Sequence, residues 1–200
     1  MNSILTPYCK TLVNYVRKRT KLFVLLLVTL ILSSLTGCSS NLSDYSSSKP
    51  NFDMKEFFDG NLSAYGMVQD RSGKVIRRFH VDLVGTWEGN TGTLEEDFYY
   101  DDGETQRRVW TLIKQEDGSY TGTASDVTQI AFGRSKGFAF NWHYTLAINI
   151  EGDTWNIDLN DWLYQLDSSR LINRTKMSKW GFRVGEITLI IEKDEPAEQE

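Results

Sequence analysis

Histidine, cysteine and proline are scarce in this 200-residue chain, at two, two and three residues, and each shortage excludes some chemistry. His80 and His143 are the only imidazoles, and Cys9 and Cys38 the only thiols. A closed zinc site of His and Cys is therefore excluded, although a mixed His and carboxylate set is not. Both histidines alternate with apolar neighbours, so a surface position explains them. The sequence holds no Gly-x-Ser-x-Gly elbow and no phosphate loop ending in Gly-Lys-Ser/Thr. It also lacks the alternating ligands and sixth-position glycine of a calcium loop. No metal and no cofactor is expected. The longest apolar run, residues 22–32, is interrupted only by Thr29 and is too short for the about 20 residues of a membrane-spanning helix.

That run has another use. Arg17, Lys18, Arg19 and Lys21 precede it, and Leu35-Thr36-Gly37-Cys38 follows it. A cationic region, a short apolar block and small residues before a cut make a secretory leader. The four-residue end resembles the lipobox of bacterial lipoproteins, in which the cysteine is acylated and becomes the new N-terminus. The resemblance implies a signal peptide over 1–37, a diacyl or triacyl Cys38 and a membrane partner. One acyl chain anchors only weakly, at about 0.8 kcal/mol per buried methylene, whereas two or more hold a protein stably. Ser39 follows the cysteine, where aspartate would favour the inner membrane in gram-negative lipoproteins. The expected location is thus the outer membrane, facing the periplasm.

Removing the leader takes five of the 22 cations and none of the 27 acids, leaving 17 positive against 27 negative charges, net −10. This balance argues against nucleic acid, which needs clustered Lys and Arg. Cys9 leaves with the leader, so no intramolecular disulfide remains and the fold must rest on its core. The mature length suits one domain. Residues 38–51 read as a lipidated cysteine and a serine-rich tether, its 13-residue coil spanning on the order of 20 Å. Residues 52–192 form the folded domain, and 193–200 an acidic tail.

Within the domain the dominant period is two. Val75, Phe79, Val81, Leu83 and Trp87 share one face of an extended segment, and Trp142, Tyr144, Leu146, Ile148 and Ile150 share another. Asp- and Gly-rich turns interrupt such runs at intervals too short for crossover helices. The expected fold is all-β, an antiparallel meander of about nine or ten strands. They fall at about 61–70, 74–88, 93–100, 104–115, 119–128, 138–150, 153–165, 170–177 and 183–192, with 130–136 as a further candidate. One helical turn, Phe52 to Phe58, would cap an end. A meander this long removes its edges by closing into a barrel, whose interior either fills with side chains or holds one small ligand.

Several motifs then carry a family likeness. Phe57-Phe58-Asp59-Gly60, Asp70 through Val75, Asp102 through Trp110, Asp161-Trp162, Asn173-Arg174 and Lys179-Trp180-Gly181-Phe182 resemble an uncharacterised lipoprotein family of gram-negative bacteria, a domain of unknown function. The resemblance covers residues 52–192. It implies a lipocalin-like barrel and brings no catalytic residues.

Polar residues on apolar faces mark the candidate site. Arg77 shares the side of Val75 and Phe79, Glu96 alternates with Leu94 and Phe98, and Asp161 is in phase with Ile157, Leu159 and Leu163. Unpaired charges inside a barrel are costly, so partners are expected from Arg107, Arg108, Asn173 or Arg174. These groups form either a structural salt-bridge network or the polar floor of a ligand cavity. Six tryptophans either pack the core or line that cavity, with Trp110, Trp142 and Trp162 the candidates for the lining. Three functions follow. A non-enzymatic envelope lipoprotein would bind a small lipid-like ligand; a structural module with a filled core would act on an envelope protein partner; and a hydrolase would use Glu96 or Asp161. The third lacks a visible set of base, nucleophile and orienting group. A cavity of about 300 Å³ or more would favour the first over the second.

Overall fold

The computed structural model describes residues 17–24, 40–150 and 152–194. It divides into two units, Met1–Ser40 and Asn41–Glu200. In the first, residues 17–24 are helical; the remainder of the expected leader, its cut and Cys38 lie outside the described residues. Among the described residues no helix is long and apolar enough to cross a membrane.

The second unit is a closed antiparallel barrel of ten strands. They are β1 (Gly60–Asp70), β2 (Val75–Glu88), β3 (Thr91–Tyr100), β4 (Thr105–Lys114), β5 (Tyr120–Thr123), β6 (Ala131–Lys136), β7 (Ala139–Ile150), β8 (Asp153–Gln165), β9 (Arg170–Lys179) and β10 (Phe182–Lys193). Each pairs with its sequence neighbours, and β1 closes on β10 with Ala64 opposite Ile191. The expected tenth strand, 130–136, is present as β6. One expectation fails: the run 119–128 pairs only as far as Thr123. Ser125 through Gln129 offers one apolar side chain, Val127, and too little inward surface to extend the ladder. Instead Val127 makes an isolated bridge to Leu146, and the intervening loop turns Asp126 towards the interior.

Alternation explains which side chains face inward. Val81 and Leu83 are buried while His80, Asp82 and Val84 are exposed, as a pleated strand with one solvated face requires. His143 is likewise exposed.

One end of the barrel is sealed. α1 (Met54–Phe57) starts at Asp53, whose side chain accepts from the Glu56 N–H at 3.2 Å, an ordinary helix N-cap. The same carboxylate accepts from the Tyr120 hydroxyl at 2.7 Å and pairs with Lys114. These contacts hold Phe52, Met54, Phe57 and Phe58 against Tyr120, Phe140, Leu62 and Leu171, all buried. The strand wall also admits the plug at Gly85, where an added Cβ would lie 1.8 Å from the Phe58 carbonyl oxygen.

Residues 41–50, expected as free tether, are packed against this unit. Leu42–Tyr45 forms a 3-10 turn with an Asn41 capping box. The Tyr45 ring lies 5.3 Å from Phe138, 6.0 Å from Trp162 and 5.8 Å from Tyr164. Serine-rich composition hid this because one aromatic anchor suffices to order the segment. The contact ties the chain's entry point to the sealed end, where β6 meets β7 and β8 finishes.

Candidate functional site

Above the sealed floor the barrel interior contains a cavity of about 140 Å³. Its wall is mostly apolar, with Leu94, Leu112, Trp110, Trp142 and Leu189 among the lining residues, and its polar groups are Glu96, Arg108, Tyr144, Asp161, Asn173 and Thr175. The volume falls below the roughly 300 Å³ typical of drug-sized ligand sites. It matches instead an apolar void of about 150 Å³ that takes up benzene. The sealed half of the barrel is filled, and the middle holds a space for one ring.

The polar groups form two sets. Glu96 on β3 stands opposite Arg108 on β4, and their charged atoms are 3.4 Å apart. Arg108 turns its Nε and Nη2 to Asp126, at 2.9 Å. Both arginine and glutamate are largely shielded, at 11% and 15% side-chain exposure, so neither could stand alone at tolerable cost. Burial raises the Glu96 pKa, with Arg108 opposing the rise. Burial also works against the Arg108 charge, but Glu96, Tyr144 and Asp126 outweigh it and the guanidinium stays ionised.

The second set centres on Asp161 of β8. The Tyr144 hydroxyl donates to its Oδ2 at 3.1 Å, while Oδ1 is buried with no partner. Thr175, opposite Asp161 on β9, donates instead to Asn173 Oδ1 at 3.0 Å. Burial, assisted by the Glu96 charge, pushes the Asp161 pKa up to about 7; the nearby Thr175 hydroxyl, the Tyr144 hydrogen bond and Arg108 oppose the rise, although the Thr175 hydroxyl points to Asn173 and makes no hydrogen bond of good geometry to Asp161. Near neutral pH Oδ1 is therefore either an O–H donor or a carboxylate acceptor. Burial also raises Tyr144 well above its ordinary value.

Towards the other end the interior carries an aliphatic cluster of Leu146, Ile157 and Leu159 on one side and aromatic rings on the other. Phe79, Phe98 and Tyr100 pack together, with ring centroids 5.8 to 6.1 Å apart. Arg77 lies over the Tyr100 ring at 3.5 Å and pairs with Asp102 at 2.8 Å and with Glu104. Tyr100 donates to Gln106 at 3.1 Å, and Gln106 in turn reaches Asp126 at 3.4 Å. A polar thread thus runs from the mouth to Arg108.

Of the residues expected at the site, Glu96, Trp110, Trp142, Asp161 and Asn173 line the cavity together. Arg77 is at the mouth. Three belong elsewhere. Arg107 is on the outer surface, paired with Asp97 at 2.8 Å and with Glu95. Arg174 is also outside, bound to Glu186 at 2.7 Å. Trp162 stacks outside on Tyr164, at 6.0 Å, beneath Tyr45. In each case strand parity decides: the immediate neighbour, Arg108, Asn173 or Asp161, takes the inward position, so this residue must point out. Arg108, expected only as a partner, and Asp126, Tyr144 and Thr175 complete the site. Alternation with Trp110 and Trp142 marks Arg108 and Tyr144, whereas nothing local marks Asp126.

No curated protein matches the sequence. Among solved structures, the S-type phycobiliprotein lyase CPES from Guillardia theta is similar with a TM-score of 0.53 at 7% identity, covering 79% of this chain and 99% of its own. Two designed barrels are more distant. The redesigned barrel mFAP0 bound to DFHBI has a TM-score of 0.39 at 9% identity over 68% of this chain and 99% of its own. A de novo designed fluorescence-activating barrel has a TM-score of 0.40 at 9% identity over 72% and 99%. At these identities the first likeness shows a shared lipocalin-like fold. Residues 32–193 match the family described as protein of unknown function (DUF3833), and the chain belongs to that family.

Proposed function

We propose that this protein is a membrane-anchored lipoprotein of the cell envelope that binds a small amphipathic molecule in its barrel without transforming it. The observation that carries the reading is Asp161 Oδ1, buried and unpartnered at the wall of an otherwise apolar cavity. An unsatisfied buried oxygen costs roughly 1–3 kcal/mol, which a ligand hydroxyl, amide or carboxyl group would recover. A ring or short apolar section fits the 140 Å³ space, and the remainder would extend along Phe98 and Tyr100 to the mouth. The lyase role named for CPES belongs to that protein; the choice of the interior as binding place rests on the cavity and its unpartnered oxygen.

Binding is favoured over catalysis by how the hydroxyls are committed. Thr175 donates to the amide of Asn173, which is no base. Tyr144 donates to Asp161, but burial raises the phenol well above its ordinary value and so works against its ionisation to a nucleophile. The acylated Cys38 supplies the anchor, and the outer membrane's periplasmic face is its proposed place. From Cys38 to Asn41 the chain spans at most about 11 Å, far less than the free tether expected. The anchor would then hold the sealed end of the barrel.

A second reading rests on the small cavity. With the sealed half filled, the barrel would be a structural module that acts through its acidic surface on an envelope protein. Mass spectrometry of molecules extracted from the purified protein distinguishes the two. A stoichiometric amphipathic compound, lost in Asp161→Ala, is expected; extracts free of any bound compound in wild type would refute ligand binding.

A further inference from the structure

The rim of the open end is divided into two unlike halves. On one side the β3–β4 turn carries Asp101, Asp102 and Glu104, which neutralise Arg78 and Arg77. On the other, the adjacent hairpins β1–β2 and β9–β10 present apolar side chains to solvent. Trp180 is 83% exposed and Phe182 76%, with Ile76 also exposed. Lys179 Nζ sits 2.9 Å from the Trp155 ring centroid and 4.7 Å from that of Trp180.

The β9–β10 turn is built around the tryptophan. Trp180 and Gly181 have φ of 52° and 81°, both left-handed, as a two-residue type I′ turn requires. Asparagine is the usual occupant of the first position, and a bulky side chain there is strained. An indole held in such a conformation at a solvent-exposed tip contributes nothing to the barrel core. Its presence calls for something outside the fold.

Charge specifies what that is. Residues 70–76 and 176–185 contain Arg71, Lys74, Lys176, Lys179 and Arg183 against the single acid Asp70. Glu186, next along β10, is buried and already holds Arg174 and Arg183. Of the five cations only Arg183 is in an ion pair among the described residues. The cluster is basic in a domain whose balance is otherwise acidic. Tryptophan and phenylalanine beside lysines suit the headgroup layer of a bilayer, where the rings sit among the acyl boundary and the cations meet anionic lipid.

We propose that this half of the rim docks on an anionic bilayer and, resting on the Cys38 anchor proposed above, that this bilayer is not the one the anchor would occupy. The chain enters the barrel at the sealed end, through Tyr45 against Phe138 and Tyr164. The tips at Trp180 lie at the opposite end, about 25 Å away for ten-residue strands tilted in a barrel. With that anchor in place, one molecule would touch two membranes, the cavity mouth facing the second. The docking face stands independently of whether the cavity is occupied.

A bridging assay tests this. The full-length chain is reconstituted into phosphatidylcholine vesicles, and dye-labelled second vesicles are added, either of phosphatidylcholine alone or of two parts phosphatidylcholine to one part phosphatidylglycerol. Recruitment of the anionic vesicles and not the neutral ones is expected. Trp180→Asn with Phe182→Thr should reduce it by about tenfold. Asparagine suits the turn and threonine the strand, so the circular dichroism of the variant should be unchanged. Lys179→Ala with Arg71→Ala should weaken recruitment severalfold and leave the circular dichroism as it is. The proposal fails if wild type recruits no second vesicles, if it recruits neutral ones equally, or if the Trp180 and Phe182 double variant recruits as wild type does. It also fails if protein-bearing vesicles cluster with one another through the same residues, which would make a second copy the occupant.

Discussion

Replacing Asp161 with asparagine should remove a pH dependence of stability that runs opposite to that of most carboxylates. In the folded barrel the Asp161 pKa is pushed up to about 7 by burial, against an unfolded value of about 3.9. Between those values the folded state binds more protons than the unfolded one, so stability falls as pH rises. The contribution is complete below the unfolded pKa and is lost as pH passes through 7. From pH 5 to pH 8 the loss is about 2–3 kcal/mol, taking about 1.36 kcal/mol for each pH unit in which only the folded form holds the proton. For a domain of this size that is about 5–10 °C in melting temperature. Glu96 is also raised and adds a slope of the same sign in both proteins. The difference between wild type and Asp161→Asn therefore isolates Asp161. Urea denaturation at pH 5, 6, 7 and 8 should show the variant close to wild type at pH 5 and more stable at pH 8. If the two lines run parallel across this range, Asp161 is not held protonated by its surroundings and the account of the cavity's polar floor is wrong.

Other perturbations have outcomes as definite. Arg108→Leu leaves the shielded Glu96 and the half-buried Asp126 without their cation, and should cost about 3–5 kcal/mol in denaturant titrations; Arg107→Leu, one residue away and outside, should leave the unfolding midpoint essentially unchanged. Gly85→Ala forces a Cβ into the Phe58 carbonyl and should lower stability by about 2–3 kcal/mol as the plug shifts, read as a drop in melting temperature. Asp53→Ala removes the cap of α1 together with the acceptor of Tyr120; a loss of about 1–2 kcal/mol is expected, with faster amide exchange in residues 52–58.

Why the fold is legible in the sequence and the site only half so has a physical basis in strand parity. Once Trp110 is taken as inward, Arg108 must be inward and Arg107 outward, because the side-chain period of a strand is two. The same rule turns Arg174 out beside Asn173, and Trp162 out beside Asp161. Residue type without parity admits Arg107, Arg174 and Trp162 to the site, where they do not belong. The alternation of Trp142, Tyr144 and Leu146 is equally visible and places Tyr144 correctly inside, where it meets Asp161. Asp126 is beyond the reach of local pattern. It lies in the loop after β5, which the Val127 bridge to Leu146 and backbone hydrogen bonds to Thr145 and Ala147 of β7 hold in place so that its carboxylate meets Arg108. The packing of Tyr45 is similarly hidden, since it depends on three aromatic residues from β6 to β8 that converge only when the barrel closes.

The way the interior is filled argues that the polar layer is there for recognition. In the sealed half, Tyr120, Phe140, Leu62 and Leu171 leave essentially no accessible surface, the close packing of an ordinary protein interior. A scaffold would gain by continuing that pattern upward, because apolar residues of similar volume replace buried ion networks with little or no loss of stability. Instead the middle layer changes to Glu96, Arg108 and Asp161, all desolvated, and commits the Tyr144 hydroxyl to hold only one oxygen of Asp161. The two oxygens of that carboxylate are therefore unlike: Oδ2 is held by Tyr144, and Oδ1 is buried without a partner in a residue that lines the space. Phe98 lines the cavity and packs on Tyr100, so on the proposed reading a molecule entering on that side would pass aromatic rings. If the proposed binding holds, that geometry would favour compact amphipathic molecules over long unbranched ones, whose tails the filled floor at Phe58 and Leu62 would turn away.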